Sequence, residues 1–195
     1  MSFDKSLLRS GDKILFHTNG FSPMSMGIRA LTGSFWNHVS QYEEEVDLRG
    51  YAIEATGKGV VKTPIEKYIN NKSYILKAVR LREEAFKDIE EYRQGLLTSR
   101  DRIYAKIGSK YDWGAIAWLG ITYIFRGLFR KIKVNIWQSR KKFFCSELVC
   151  RGDRGISSLF EYLYQGKTNA KCDTTTPRDI AKSVNVRWIT GSKKL

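Results

Sequence analysis

Short runs of apolar residues, bounded by glycine, asparagine or aspartate, recur through the first eighty residues and are typical of β-strands. The first run follows the Gly11–Asp12 turn and stops before Asn19–Gly20. This pattern predicts strands at residues 13–18, 36–43, 50–56 and 74–81, and a last one at 184–189. The second and third can pair as a hairpin, because Gly50 lies near their connection.

Apolar residues recur every three or four positions later in the chain, which is the period of an amphipathic helix. This period predicts a helical segment at about 83–107, with a break at Gly95 or at Thr98–Ser99 left open. Shorter helices are predicted at about 23–32, 113–129, 145–152 and 177–183. Because the strands come early and most helices come late, we expect an α+β fold.

Length and composition favour one folded domain over residues 1–195, because 42% of the residues are hydrophobic and 13% are aromatic. The three cysteines are odd in number and unevenly spaced, so no disulfide framework is expected. Cys145 and Cys150 would point roughly 140° apart on a helix, which argues against a local pair. We therefore expect a reducing, cytosolic setting.

Neither of the two candidate segments has the hydropathy pattern of a signal peptide or a membrane span. Residues 1–15 mix charged and apolar side chains and lack the continuous apolar core of a secretory signal. The longest apolar run, residues 113–125, is shorter than the about 20 residues that cross a bilayer. We expect a cytoplasmic protein without a signal peptide or transmembrane helix, and a peripheral position on a membrane is left open.

The net charge of +14 predicts attraction to an anionic partner. Residues 126–142 hold seven basic side chains and no acidic one, and with the preceding apolar run they form an apolar and basic insert at about 113–142. Residues Trp113 to Lys142 suit an anionic membrane surface, although a core helix followed by a solvated basic loop has the same pattern. No RNP-like, zinc-finger or helix-turn-helix pattern is present, so we expect no nucleic-acid partner.

Three residues suggest nucleophilic chemistry. Cys145 stands where an apolar strand-like segment turns into a helix, and a helix N-terminus favours thiolate over thiol. His38 and Glu54 lie on the two strands of the predicted hairpin, where side chains on one face come within hydrogen-bond reach. Cysteine, histidine and glutamate form a workable nucleophile, base and orienting group.

Each of these residues also has a structural interpretation. An isolated cysteine is more often buried packing than chemistry, and His38 and Glu54 are compatible with ordinary strand positions. His17 ranks below His38, because no carboxylate-bearing strand follows it at hairpin distance. Cys150 and Cys172 have no comparable context and are predicted to be structural.

Several motifs together resemble the circularly permuted papain-like branch of the NlpC superfamily, and in particular the YiiX-like hydrolases and their poxviral relatives. The resemblance runs from about residue 10 to residue 183, and its most specific parts are Asn37–His38–Val39 and the run from Cys145 to Val149. The other matching segments are residues 11–16, 32–34, 53–55, 59–61, 111–112 and 176–180. The resemblance implies a permuted papain-like fold with an antiparallel sheet packed against helices. It further implies Cys145 as nucleophile, His38 as general base and Glu54 as third residue.

The expected function is therefore that of a thiol-dependent hydrolase or acyltransferase. It would cleave an amide, ester or thioester through an acyl-enzyme on Cys145, and no cofactor or metal is expected. Two alternatives are kept: a membrane-surface lipid hydrolase or acyltransferase, related to the lecithin:retinol acyltransferase-like enzymes, and a non-catalytic binding module that retains the fold. The substrate and the oligomeric state are left open.

Overall fold

A computed structural model of the chain describes residues 3–19, 25–26, 28–29, 33–114, 117, 142–157, 163–164, 167–168 and 172–189. Ten strands lie in these ranges: β1 Lys13–Thr18, β2 His38–Glu44, β3 Gly50–Thr56, β4 Gly59–Pro64, β5 Tyr74–Leu81, β6 Lys110–Tyr111, β7 Lys142–Phe143, β8 Leu163–Tyr164, β9 Lys167–Thr168 and β10 Val186–Trp188. The helices that position the site are α1 Glu66–Ile69, α2 Ile89–Tyr104, α3 Cys145–Asp153 and α4 Pro177–Ala181.

The main sheet has six strands in the order β10-β5-β1-β2-β3-β4, and every neighbouring pair is antiparallel. Strands β1, β3 and β5 have the predicted bounds, and β2 and β10 lie within two residues of theirs. Strands β2 and β3 pair as the predicted hairpin. The sheet therefore joins strands from both ends of the described chain.

The two faces of the sheet bury different layers, because side chains alternate along each strand. Ile14 and Phe16 pack on one face with residues of the segment around α1. Leu15 packs on the opposite face, in a cluster that includes residues of α2 and α3. The helix that begins at Cys145 thus lies against the sheet rather than on the surface.

Helix α2 begins later than the pattern predicts. Residues 83–85 form a separate 3-10 turn, and Asp88 caps the helix by accepting a hydrogen bond from the Glu91 N–H at 2.8 Å. The helix runs through Gly95 without a break. A Cβ at Gly95 would lie 2.9 Å from Phe86 Cε1, so this glycine permits close packing instead of ending the helix.

Helix α3 is fixed at its far end by a buried ion pair. Asp153 Oδ1 accepts hydrogen bonds from Lys13 Nζ on β1 at 2.9 Å and from Ser99 Oγ on α2 at 2.6 Å. The Lys13 and Asp153 side chains are both 0% exposed. These contacts tie the end of α3 to the sheet and to α2, which sets the direction in which its first residue points.

The structure corrects the prediction about disulfides. Cys150 on α3 is bonded to Cys172, with their Cα atoms 5.3 Å apart, and Cys145 is a free cysteine. Spacing could not reveal this pair, because the two residues lie 22 positions apart and are brought together by the packing of the 3-10 turn Cys172–Thr174 on α3. The predicted reducing setting has no support from this bond, since disulfides are typical of oxidising compartments.

Most of the apolar and basic insert at 113–142 lies outside the described residues, and so does the proposed membrane surface. Residues 113, 114 and 117 are helical, as the pattern predicts. In the predicted helix at 23–32, the four residues that are described, 25, 26, 28 and 29, are helical as well. Within the described part of the chain, no helix is long and apolar enough to cross a membrane.

Candidate active site

The first two site residues meet across the β2–β3 hairpin. His38 Nε2 lies 2.6 Å from Glu54 Oε2. The ladder pairs Gln41 with Ile53, so Glu54 stands diagonally from His38 on the same face rather than directly opposite. The predicted contact between histidine and carboxylate is therefore present in the structure.

Glu54 is held in place by two hydroxyl groups that sequence reasoning missed. Its Oε1 accepts hydrogen bonds from Thr63 Oγ1 at 2.7 Å and from Tyr68 OH, and the residue is 1% exposed. Burial raises the pKa of Glu54, but the hydrogen bond and charge of His38 and the two hydroxyl donors outweigh it and hold the pKa below its usual range. Glu54 is thus an ionised, oriented carboxylate aimed at the histidine.

Cys145 occupies the first position of α3 and is 3% exposed. The preceding residue, Phe144, is extended and provides no side-chain cap, so the first-turn N–H groups are left for other partners. The Cys145 thiol lies near the His38 ring, close enough for the ring to lower the pKa of the thiol. Because Nε2 of His38 faces Glu54, its Nδ1 is the ring nitrogen that remains for the sulfur.

Electrostatics favour a thiolate–imidazolium pair. Burial raises the pKa of Cys145, but the charge and hydrogen bond of His38 and the N–H groups of Val39 and Ser146 lower it overall. Burial lowers the pKa of His38, but the charges and hydrogen bonds of Cys145 and Glu54 raise it to about 10. Both shifts favour the nucleophilic thiolate on the sulfur and a proton on the ring that the ring can donate.

Helix α3 is anchored next to the cysteine by Ser146, whose Oγ donates a hydrogen bond to the Thr175 carbonyl at 2.7 Å. Strand β7 leads into the helix and pairs in parallel with β6, so Tyr111 lies beside Phe143. Burial, followed by the negative charges of Cys145 and Asp112, raises the pKa of Tyr111.

Asn37 is a further polar group that sequence reasoning did not assign to the site. It precedes His38 and is 3% exposed. Neither its carboxamide nitrogen nor its oxygen has a hydrogen-bond partner among the described residues. Buried polar groups rarely lack a hydrogen-bond partner. In the sequence, the only signal for Asn37 was its place in the Asn37–His38–Val39 motif.

His17 takes no part in the site. Its Nδ1 lies 2.7 Å from the Phe35 carbonyl oxygen, and its Nε2 lies 3.2 Å from Arg29 Nη1. The His17 and Phe35 rings stack with their centroids 3.9 Å apart. Over the ranges that are described, no group of three or more His, Cys, Asp or Glu side chains could hold a metal ion.

Comparison with known proteins shows the fold and no more. No protein-family model and no curated protein sequence matches this chain. The crystal structure of the metalloprotein YiiX from Escherichia coli O157:H7 is similar, with 16% sequence identity, a TM-score of 0.59, and coverage of 95% of this chain and 97% of YiiX. The chain therefore has a mixed α+β, YiiX-like fold, and the antiparallel sheet packed against helices is as predicted.

Proposed function

We propose that this protein is a thiol-dependent hydrolase or acyltransferase with a circularly permuted papain-like fold. The observation that carries the proposal is the position of the His38 ring, between Glu54 Oε2 at 2.6 Å and the Cys145 thiol at the start of a helix. The chain order of the three residues, histidine on β2, glutamate on β3 and cysteine on a later helix, supports the permutation. We further propose that residues 1–195 form a single domain.

The proposed reaction has two halves. Cys145 Sγ attacks the acyl carbon of an amide, ester or thioester and forms a tetrahedral oxyanion, which the backbone N–H of Cys145 at the start of the helix can stabilise. The bond to the leaving group then breaks, and His38 gives its proton to that group, leaving an acyl thioester on Cys145. In the second half, neutral His38 takes a proton from water or an acceptor, which attacks the thioester and releases the thiolate.

Glu54 supports both halves without touching the acyl group. Its carboxylate accepts a hydrogen bond from the Nε2–H of His38, which keeps Nδ1 directed at the sulfur and stabilises the imidazolium. Glu54 is therefore a positioning residue, and Cys145 and His38 are the catalytic pair. The lipid-directed alternative depends on residues 113–142, and liposome co-sedimentation with and without anionic lipid tests it.

Labelling with iodoacetamide at neutral pH tests the proposal without knowledge of the substrate. We expect rapid alkylation of the wild-type protein and none of Cys145→Ala, because the other two cysteines are joined in the disulfide. In His38→Ala the rate should fall by about tenfold or more, because the thiol loses the charge that lowers its pKa.

His17→Ala is the matched control, because it removes the other histidine of the chain and should leave the rate unchanged. Labelling of the wild type no faster than that of free glutathione would contradict the proposal. Equal rates in wild type and His38→Ala would also contradict it. Either result favours a binding module that keeps the fold without the chemistry.

A further inference from the structure

A second feature of the helical layer has neither His38 nor Cys145 in its lining and has no part in the proposed reaction. Helices α2 and α3 and strand β7 border a cavity of about 360 Å³ that is open to solvent on one side. This volume is within the range of about 300–1,000 Å³ that small-molecule sites occupy. Two buried apolar side chains, Phe143 and Leu148, and four basic ones line it: Arg102, Lys106, Arg151 and Arg154.

The basic side chains converge because of how the two helices meet. A Cβ at Gly152 would lie 2.6 Å from Ile103 Cδ1, so this glycine allows α2 and α3 to approach closely. The Lys106 ammonium and the Arg151 guanidinium then both lie over the Phe143 ring, 5.7 and 5.8 Å from its centroid. Two cationic groups, one just after α2 and one on α3, thus lie over one aromatic ring.

Two of the guanidinium groups are already oriented by the protein. Arg102 Nη1 donates to the Arg154 carbonyl oxygen at 2.6 Å, and Arg151 Nε donates to Glu147 Oε1 at 2.8 Å. An arginine has five N–H donors, so each retains donors for a ligand. Orientation by the protein in advance reduces the entropy lost on binding.

The charge of the cavity is unbalanced. Glu147 pairs with Arg151 from outside the lining, and no acidic side chain is among the described residues that line the cavity. Lys106 and the Arg154 side chain have no acidic partner within the described part of the chain. Like charges held this closely repel one another, and a polyvalent anion relieves that repulsion.

We propose that this cavity, the α2–α3 basic cavity, binds a phosphate-bearing ligand. Guanidinium groups match the geometry of phosphate oxygens, and the ammonium adds a mobile point charge. The phosphate belongs either to a soluble molecule or to a lipid headgroup, and both present the same oxygens to the cavity. This proposal does not depend on the thiol chemistry, and Cys145 and His38 stay intact in every variant below.

The test uses pyrophosphate as the soluble probe, measured by isothermal titration calorimetry. The second probe is phosphatidylcholine vesicles with and without phosphatidylinositol bisphosphate, measured by co-sedimentation. The variant Lys106→Gln/Arg154→Gln removes two charges from the cavity. The control Lys72→Gln/Lys87→Gln removes two charges from exposed positions elsewhere, so net charge is matched.

We expect pyrophosphate to bind the wild type and the control equally, and the cavity variant about tenfold or more weakly, since hydrogen bonds to charged groups are lost. The same difference seen only with phosphoinositide vesicles supports the proposal and assigns the phosphate to a lipid headgroup. An equal loss in both double variants shows attraction by net charge alone and overturns the proposal. No binding of either probe to the wild type also overturns it.

Discussion

Replacing Glu54 by glutamine tests the electrostatic basis of the site. The side chain keeps its shape, and its remaining carbonyl oxygen can still accept from Thr63 and Tyr68. The amide NH₂ then faces His38 Nε2, which must accept instead of donate. This change removes the carboxylate that stabilises the imidazolium, and it moves the ring proton of neutral His38 to Nδ1, where the ring cannot accept a proton from the thiol.

The expected change in the pKa of His38 follows from its hydrogen bond to Glu54. A hydrogen bond between charged partners contributes about 1.5–3 kcal/mol, and each pKa unit corresponds to about 1.36 kcal/mol. We therefore expect the pKa of His38 to fall from about 10 by about 1–2 units in Glu54→Gln. The direction is downward because only the protonated ring gains from the carboxylate charge.

Nitrogen-15 NMR of histidine-labelled protein measures this directly, because the chain has only two histidines. Comparison with His17→Ala assigns the two rings, and the His17 signal serves as an internal control in Glu54→Gln. An unchanged circular dichroism spectrum shows that the variant is folded. The reasoning is refuted if wild-type His38 titrates near its ordinary value of 6.5, or if Glu54→Gln leaves its pKa unchanged.

Three further predictions concern stability and are measured by urea unfolding. Lys13→Met should lower the free energy of unfolding by about 3–5 kcal/mol, because the buried Asp153 carboxylate loses the Lys13 ammonium. The double variant Lys13→Met/Asp153→Asn should lower it by less, and equal decreases would contradict a paired charge. Gly59 and Gly108 both have positive φ, +108° and +88°, but only at Gly59 would a Cβ lie 2.4 Å from a backbone oxygen. Gly59→Ala should therefore lower the free energy of unfolding more than Gly108→Ala, and equal decreases would show that backbone strain alone matters. The disulfide links residues 22 positions apart, and its reduction should lower the free energy of unfolding by about 3 kcal/mol. An unchanged urea midpoint after reduction would argue against the bond.

The sequence predicted the strands well where local signals agree. Strand β1 lies between the turn at Gly11–Asp12 and the polar Asn19, and its bounds are as predicted. Helix α2 shows the limit of a periodicity argument. Phe86 falls at helical spacing, but Asp88 caps the helix two residues later, and Gly95 is accommodated because it packs against Phe86. Spacing alone cannot distinguish a glycine that ends a helix from one that permits contact.

The candidate site also contains residues that the sequence could identify and residues that it could not. Cys145, His38 and Glu54 could be named because Cys145 stands at a strand-to-helix junction, His38 and Glu54 lie on one predicted hairpin, and the surrounding motifs resemble a known family. Thr63 and Tyr68 could not be named, because hydroxyl residues are common and nothing in their spacing links them to Glu54. Their role depends on the β3–β4 pairing and on α1 covering the same face.

The sequence by itself determined five of the six strands of the main sheet, the helix that begins at Cys145 and the order in which the three site residues occur. These properties depend on neighbours along the chain, through turn residues and the alternation of apolar side chains. Only the tertiary structure decided that Cys150 bonds Cys172, that Lys13 neutralises Asp153 inside the core, and that four basic side chains meet in one cavity. Those contacts join residues far apart in the chain, and their energies depend on burial and distance, which exist only once the sheet and helices have packed.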